Sequence, residues 1–273
     1  MTPFAEVIGD PVAHSLSPAI HLHWLRALAA PGDFLATRVG AAGLAAFVRL
    51  RRRDPRWAGC SVTAPHKQAI MKLLDRVTDT AREAGAVNCV FREGDRLVGG
   101  NTDLAGLSQA LAGIALGGRK AVVIGAGGAA RAAVCHLRSR RPGEIVILVR
   151  DPPRAQPLLR EGVRAAPIET ACDELAGARL IVNATPLGMA GGCHMPAAVL
   201  NGLAGAPGAS VMDMVYDPLD TPLLGAARAR GLHAVDGLEM LVGQARQAFR
   251  LFFGREPPGG DEALRAYLVD RRR

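Results

Sequence analysis

The run Lys-Ala-Val-Val-Ile-Gly-Ala-Gly-Gly-Ala-Ala-Arg at residues 120–131 restricts the fold more than any other stretch of this chain. Its apolar first half reads as a buried strand, its glycines as a turn, and its alanines as the start of a helix. Within G-x-G-x-x-A, Gly125 permits a tight turn and Gly127 lets a pyrophosphate approach the backbone, while Ala130 keeps helix and strand close. The backbone of Ala126, Gly128 and Ala129 offers free amides at the helix start, where phosphate binds readily. A strand, turn and helix of this kind predict a dinucleotide-binding α/β domain with a largely parallel sheet.

The same alternation of short apolar runs and helical patterns extends over all 273 residues, too many for one ordinary small core. Strands are expected at 4–9, 33–39 and 58–63, helices at 18–30, 41–53 and 65–74, and a hairpin-like pair at 86–92 and 95–100. Ser17-Pro18 reads as an N-cap followed by proline in the first turn. Pro65 opens the expected helix 65–74, which places Lys67 in its first turn. An alanine-rich segment from Leu104 to Leu116 looks like a connecting helix. Beyond it come strand 120–124, helix 128–139, strand 144–149, a short helix near 154–161, and strands 179–184 and 210–215. Helix 221–230, strand 233–236 and a long amphipathic helix 238–253 complete the pattern. Two domains follow, divided near residue 103.

Between Gly59 and Asp103 polar residues punctuate apolar strands, in SVTAPHK at 61–67, GAVN at 85–88 and NTD at 101–103. Each cluster falls at an expected strand end, so hydroxyl, amide, ammonium and carboxylate groups are delivered to one place. Such a set grips a small polyhydroxylated molecule, and Lys67 with Asp103 adds an acid/base pair. On the cofactor side, the second strand of the nucleotide unit runs out as Val149-Arg150-Asp151-Pro-Pro-Arg154. Arg150 and Arg154 suit a ribose 2′-phosphate and hence NADP. Asp151 suits a free 2′-hydroxyl and hence NAD. On these residues alone both cofactors stay open.

Composition narrows the partners. Net charge is +8, with basic runs at Arg51–Arg53, Arg138–Arg141 and Arg271–Arg273. Aromatics are only 4% of the chain and none interleaves with the arginines, so stacking platforms for nucleic acid are missing. The runs read as solvated helix ends and a frayed C-terminus, and their field draws in small anions. No apolar run approaches the roughly 18 residues of a membrane span. The N-terminus reads as a first strand rather than a signal peptide, so a cytoplasmic protein without membrane partners is expected. Five scattered cysteines, with Cys193-His194 the one close Cys/His pair, indicate neither a disulfide framework nor a metal site.

Taken in order, these segments resemble the shikimate dehydrogenase family, including its shikimate/quinate 5-dehydrogenase relatives. The resemblance runs through GDPVAHSLSP (9–18), SVTAPHK (61–67), GAVN (85–88), GGNTDLAG (99–106) and GAGGAAR (125–131). It continues through NATPLGM (183–189), DMVYDPLDTPLL (213–224) and DGLEMLVGQA (236–245). It implies an N-terminal α/β substrate-binding domain (1–103, with 238–273 packing back onto it), a Rossmann cofactor domain (104–237), a C-terminal helix returning to the first domain, and an active site in the cleft between them. The implied reaction is reversible NADPH-dependent reduction of 3-dehydroshikimate to shikimate, within aromatic amino-acid (chorismate) biosynthesis. By the resemblance, Lys67 and Asp103 are catalytic, although whether Lys67 gives the proton or mainly binds substrate stays open. Ser15 and Ser17 match the serines that hold the substrate carboxylate. Thr63, Asn88, Asp103 and Gln244 match positions on the ring hydroxyls, and Tyr216 borders the substrate. Met214 and Gly237 fall near the nicotinamide, and Asp79 matches an acidic cofactor-side position. His14 and His66 lie within motifs but read as structural.

The chain departs from the family pattern at several points. Ser61 stands where asparagine is common, Cys89 where threonine is, and Leu104 where glycine is frequent. Val149-Arg150-Asp151 replaces the Asn-Arg-Thr of NADP-dependent members, and the loop Ala190–Pro196 is expanded. The alternative reading is therefore a quinate/shikimate dehydrogenase that uses NAD or both cofactors. A more remote one is a ligand-sensing protein on the same fold with catalysis lost.

Overall fold

A computed structural model describes residues 1–270, so the arginine run 271–273 lies outside the described residues. The chain begins with β1 (Phe4–Gly9), α1 (Ser17–Ala27), β2 (Asp33–Arg38), α2 (Leu44–Arg53), β3 (Trp57–Val62), β4 (Arg76–Val77), α3 (Asp79–Ala84), β5 (Cys89–Glu93) and β6 (Arg96–Gly100). Next come α4 (Asp103–Ala110), β7 (Lys120–Ile124), α5 (Gly128–Ser139), β8 (Glu144–Val149), β9 (Val163–Pro167), α6 (Ala171–Glu174), β10 (Leu180–Asn183) and α7 (Ala197–Gly202). It ends with β11 (Ser210–Asp213), α8 (Pro222–Arg228), β12 (His233–Val235), α9 (Gly237–Phe253) and α10 (Asp261–Asp270). Two compact units result, Met1–Gly106 with the segment from Val242 on, and Leu107–Leu241.

The first unit is a six-stranded sheet in the order β2-β1-β3-β5-β6-β4, with β5 antiparallel to both of its neighbours. Alternation along the strands sends Val7, Cys89, Phe91 and Val98 to one face, against Ala248 and Phe252 of α9. Ile8, Cys60, Val62 and Leu97 point the other way, against Phe47 and Val48 of α2 and Ile70. One carboxylate is buried within this packing. Glu6 Oε1 accepts from Arg51 Nε and Trp57 Nε1, each at 2.7 Å, and Oε2 accepts from the Thr37 hydroxyl at 2.5 Å. Those bonds tie β1, β2, α2 and β3 together around a charge that is fully satisfied. Because β5 runs against its neighbours, the carboxyl ends of β1, β3 and β6 and the start of β5 share one edge of the sheet.

The second unit is a wholly parallel sheet in the order β12-β11-β10-β7-β8-β9. Numbered by appearance within the unit this is 6-5-4-1-2-3, the doubly wound Rossmann order. Ala130, Ala133 and Leu137 of α5 cover one face, and Ala171, Val199, Leu223 and Leu224 of α6 to α8 the other. The order reverses between β7 and β10, which opens a crevice at their carboxyl ends. Among the described residues no helix is long and apolar enough to cross a membrane.

Four expectations need correction. No helix spans 65–74: Lys67 sits in a turn and a short 3-10 segment covers Ala69–Leu73. The Lys67 carbonyl accepts from Val87 N at 2.7 Å and is therefore spent outside any helical ladder. Ser17 is the first residue of α1 rather than its cap, and its N–H donates to Ser15 Oγ at 3.3 Å. The helix expected from Leu104 to Leu116 stops at Ala110. Arg140 picks up carbonyls beyond its end, donating to Leu111 O at 2.7 Å and Ile114 O at 2.5 Å. Near 154–161 the chain forms a 3-10 segment over Pro152–Leu158, in keeping with three prolines that withhold N–H groups.

Candidate active site

The shared edge of the first sheet carries a continuous hydrogen-bonded set. Lys67 Nζ donates to Asp103 Oδ2 at 2.5 Å, with side chains 16% and 8% exposed. Asp103 Oδ1 accepts from Asn88 Nδ2 at 2.7 Å, and the Asp103 N–H donates to Asn101 Oδ1 at 3.1 Å. Asn88 Oδ1 in turn accepts from Thr102 N at 2.6 Å. The Thr102 hydroxyl lies 3.0 Å from Asn88 Nδ2 and 3.2 Å from Gln244 Oε1, joining the strand edge to α9. Asn101 and Thr102, both buried, are the members that motif reading left without a role; their place inside NTD was the signal that could have found them.

Backbone bonds hold the rest of the edge to this set. Val62 N donates to Asn88 O at 2.6 Å, and Thr63 N to Ile8 O at 2.9 Å. A Cβ on Gly9 would lie 2.4 Å from Thr63 Cγ2, so only glycine lets β1 end this close to Thr63. Asp10 N donates to Ala64 O at 3.0 Å, which ties the segment after β1 to the segment after β3. Ser17 is buried and Ser15 half-buried, immediately ahead of α1. His66 is structural as expected: its ring is buried, with Nε2 2.6 Å from Val39 O. Asp79 lies in the first turn of α3, fully exposed and paired with Arg82 at 2.5 Å.

In the second unit, α5 starts at Gly128 with Gly127 as a cap that supplies no side-chain bond. Gly127 is exposed, and a Cβ on it would meet nothing within 4 Å. Gly125 has φ +109°, and a Cβ there would lie 2.6 Å from Thr185 Cγ2. Uncapped amides, a glycine cradle and the helix dipole fit the phosphates of a dinucleotide. Past β8, Arg150 is exposed, and Arg154 Nε lies 3.3 Å from Asp151 Oδ2. Met214 and Tyr216, both half-buried, follow β11, and Met214 N donates to Asn183 O at 3.0 Å. Gly237 opens α9, and the carbonyl oxygens of Met214 and Val215 stand where its Cβ would be. Asn183, Asp213 and Thr221 form a buried polar group here to which sequence reading gave no role, although two of its motifs contain them. Burial pushes the Asp213 carboxyl up to about 6, against the pull of Thr221, the Val215 N–H and Asn183.

Comparison with known proteins agrees with this geometry. Residues 7–90 match the shikimate dehydrogenase substrate binding domain, 107–187 the shikimate / quinate 5-dehydrogenase family, and 237–260 the shikimate 5'-dehydrogenase C-terminal domain. A shikimate dehydrogenase (NADP(+)) from Sphingopyxis alaskensis is 48% identical over 98% of this chain and 97% of its own. The chain belongs to the shikimate dehydrogenase family. Among solved structures, the Thermus thermophilus shikimate 5-dehydrogenase in complex with NADP(H) and shikimate is 38% identical. It superposes with TM-score 0.81 over 94% of this chain and 95% of that one. The Listeria monocytogenes shikimate 5-dehydrogenase in complex with shikimate and NAD is 29% identical, with TM-score 0.84 over 98% and 96%.

Set beside other shikimate dehydrogenases, the departures acquire a physical reading. Ser61 Oγ, on β3 two residues before Thr63, is buried with no hydrogen-bond partner among the described residues. Cys89 is fully buried, and burial pushes its thiol well up, so it is an inert core thiol. The expanded loop folds back on itself through Gly188 N to Cys193 O at 2.9 Å, and Ala190 N donates to Asp217 O at 2.9 Å. Arg154 beside Asp151 offsets the carboxylate that distinguishes this chain from Asn-Arg-Thr relatives.

Proposed function

We propose that the protein is an NADP-dependent shikimate dehydrogenase, reducing 3-dehydroshikimate reversibly to shikimate in chorismate biosynthesis. The first unit serves as the substrate domain and the second as the cofactor domain. The observation that carries this reading is the Lys67–Asp103 pair at 2.5 Å, set among amide and hydroxyl groups on one sheet edge. A sensor of the same ligand has no need of a proton donor there.

When bound, the nicotinamide cofactor supplies the hydride that reduces the ketone carbon. The oxygen left behind then needs a proton, and Lys67 Nζ gives it; in the oxidative direction Lys67 takes it back. Asp103, anchored by Asn88 and its own N–H, holds the ammonium in place and accepts from a ring hydroxyl. Thr63, Asn88 and Gln244 complete the hold on the hydroxyls. Ser15 and Ser17 take the carboxylate, helped by the positive end of α1. On the cofactor side, Gly125 to Ala129 cradle the pyrophosphate, while Arg150 and Arg154 take the 2′-phosphate. Met214 and Gly237 flank the nicotinamide end, Tyr216 borders the substrate, and Asp79 is an acidic cofactor-side position.

Asp151 supports a second reading, a quinate/shikimate dehydrogenase using NAD or both cofactors. Initial rates on shikimate and quinate, each with NADP and NAD, separate the two. Shikimate with NADP is expected to give the highest kcat/KM. Exclusive turnover of quinate with NAD would overturn the proposal.

A further inference from the structure

Two adjacent strands of the second unit end in polar residues that face each other. Asn183 closes β10, Asp213 closes β11, and the two are register partners with no exposed surface. Asn183 Nδ2 donates to Asp213 Oδ1 at 2.8 Å and to Leu187 O at 3.1 Å. Its Oδ1 accepts from Thr185 N at 3.1 Å and from the Thr185 hydroxyl at 2.6 Å. Asp213 Oδ1 also accepts from Val215 N at 3.0 Å, and Oδ2 from the Thr221 hydroxyl at 2.7 Å. Thr221 Oγ1 then accepts from Leu224 N at 3.3 Å and caps α8. Every donor and acceptor of the amide is used, so its orientation is set by the network.

Burying a carboxylate costs stability, and an apolar pair would pack at two strand ends without that cost. What the polar pair supplies is direction. It suspends three segments from two side chains: 184–188, 214–217 and the start of α8. Ala190 N donating to Asp217 O at 2.9 Å joins the loops beyond the first two segments. The first segment places Thr185 against Gly125 in the phosphate turn, and the second carries Met214 and Tyr216. Both lie at the carboxyl edge where a doubly wound sheet binds its ligand.

The geometry points to Asn183 and Asp213 as positioning residues for the nicotinamide end of the cofactor, setting its affinity and seat through the two loops without touching it. This rests on the dehydrogenase reading above. Loss of the carboxylate frees Val215 N and Thr221 at once, whereas Asp213→Asn keeps the shape. Its Oδ1 still accepts from Asn183 and Val215, and its Nδ2 donates to Thr221 Oγ1.

The test measures NADPH affinity by the fluorescence of the bound nucleotide, melting temperature, and steady-state kinetics on the full chain. Wild type is compared with Asp213→Ala, Asp213→Asn and Thr221→Val. Asp213→Ala is expected to weaken NADPH binding at least tenfold and Thr221→Val three- to tenfold. Asp213→Asn should stay within threefold of wild type, and KM for shikimate within twofold throughout. Variants with lowered melting temperature but NADPH affinity and KM for NADPH within twofold of wild type would overturn the proposal, since a merely structural role behaves that way. If Asp213→Ala does not fold, Thr221→Val decides by the same criteria. Wild-type protein that binds no NADPH sinks the dehydrogenase reading itself, a failure distinct from that of the variants.

Discussion

Acid should weaken the first unit through a single side chain, His21. Its ring has no exposed surface, stacks on Phe34 with centroids 4.0 Å apart, and neither nitrogen has a hydrogen-bond partner among the described residues. Burial pushes its pKa down from 6.5 to about 3. The folded ring therefore stays neutral to about pH 3, while the unfolded ring takes a proton near 6.5. Between those values the unfolded chain binds more protons, so stability falls as pH drops, and above 6.5 this group adds no slope. At about 1.4 kcal/mol per pH unit, lowering the pH from 7.5 to 5.0 costs about 2 kcal/mol through His21. The second unit is better balanced. Burial, then Arg140, pushes His136 down to about 4, a loss of similar size by pH 5.0. Asp213, raised to about 6, takes up its proton first in the folded state and returns about 1.4 kcal/mol over the same range. His21→Phe retains the aromatic stack and removes the base. At pH 5.0 it should exceed wild type by about 2 kcal/mol more than it does at pH 7.5, about 4–8 °C in the melting of the first unit. Urea and thermal unfolding at the two pH values measure this. If the variant loses stability with acid as steeply as wild type, the buried-histidine reasoning is refuted.

Two further outcomes follow from charges the structure pairs. Arg51→Met leaves the Glu6 carboxylate buried without its cation and should cost about 3–5 kcal/mol in urea unfolding, while adding Glu6→Gln recovers most of it. A double-mutant cycle with no coupling would show the pair to be incidental. Asp151→Thr removes the carboxylate beside Arg154 and should raise the NADP-to-NAD ratio of kcat/KM about tenfold or more, at about 1.5–3 kcal/mol for a charge-assisted bond. An unchanged ratio would place Asp151 outside the 2′-phosphate site.

Much of this was legible in the sequence because long apolar runs and glycine turns depend little on distant context. Strands 4–9, 120–124 and 144–149 and the helix 128–139 stand where their patterns put them. The segment around Lys67 did not, since a long-range bond from Val87 N takes the carbonyl that a helix would have used. Strand β9, Val163–Pro167, also escaped, because a short sheet-edge strand with only Val163 and Ala166 buried carries a weak apolar signal. At the site, Asn88 and Asp103 were marked by their placement at strand ends. Thr102, Asn183 and Asp213 hydrogen-bond to other side chains, and such contacts emerge only once two strand ends or a strand edge and a helix are seen together.

The most direct test of the central claim, proton transfer by Lys67 held by Asp103, is steady-state reduction of 3-dehydroshikimate by Lys67→Met with NADPH. A lost general acid should lower kcat by about 10²- to 10⁴-fold, with a smaller change in KM and unaltered NADPH binding. A variant that keeps most of its kcat while only KM rises would contradict the account and reduce Lys67 to a binding group.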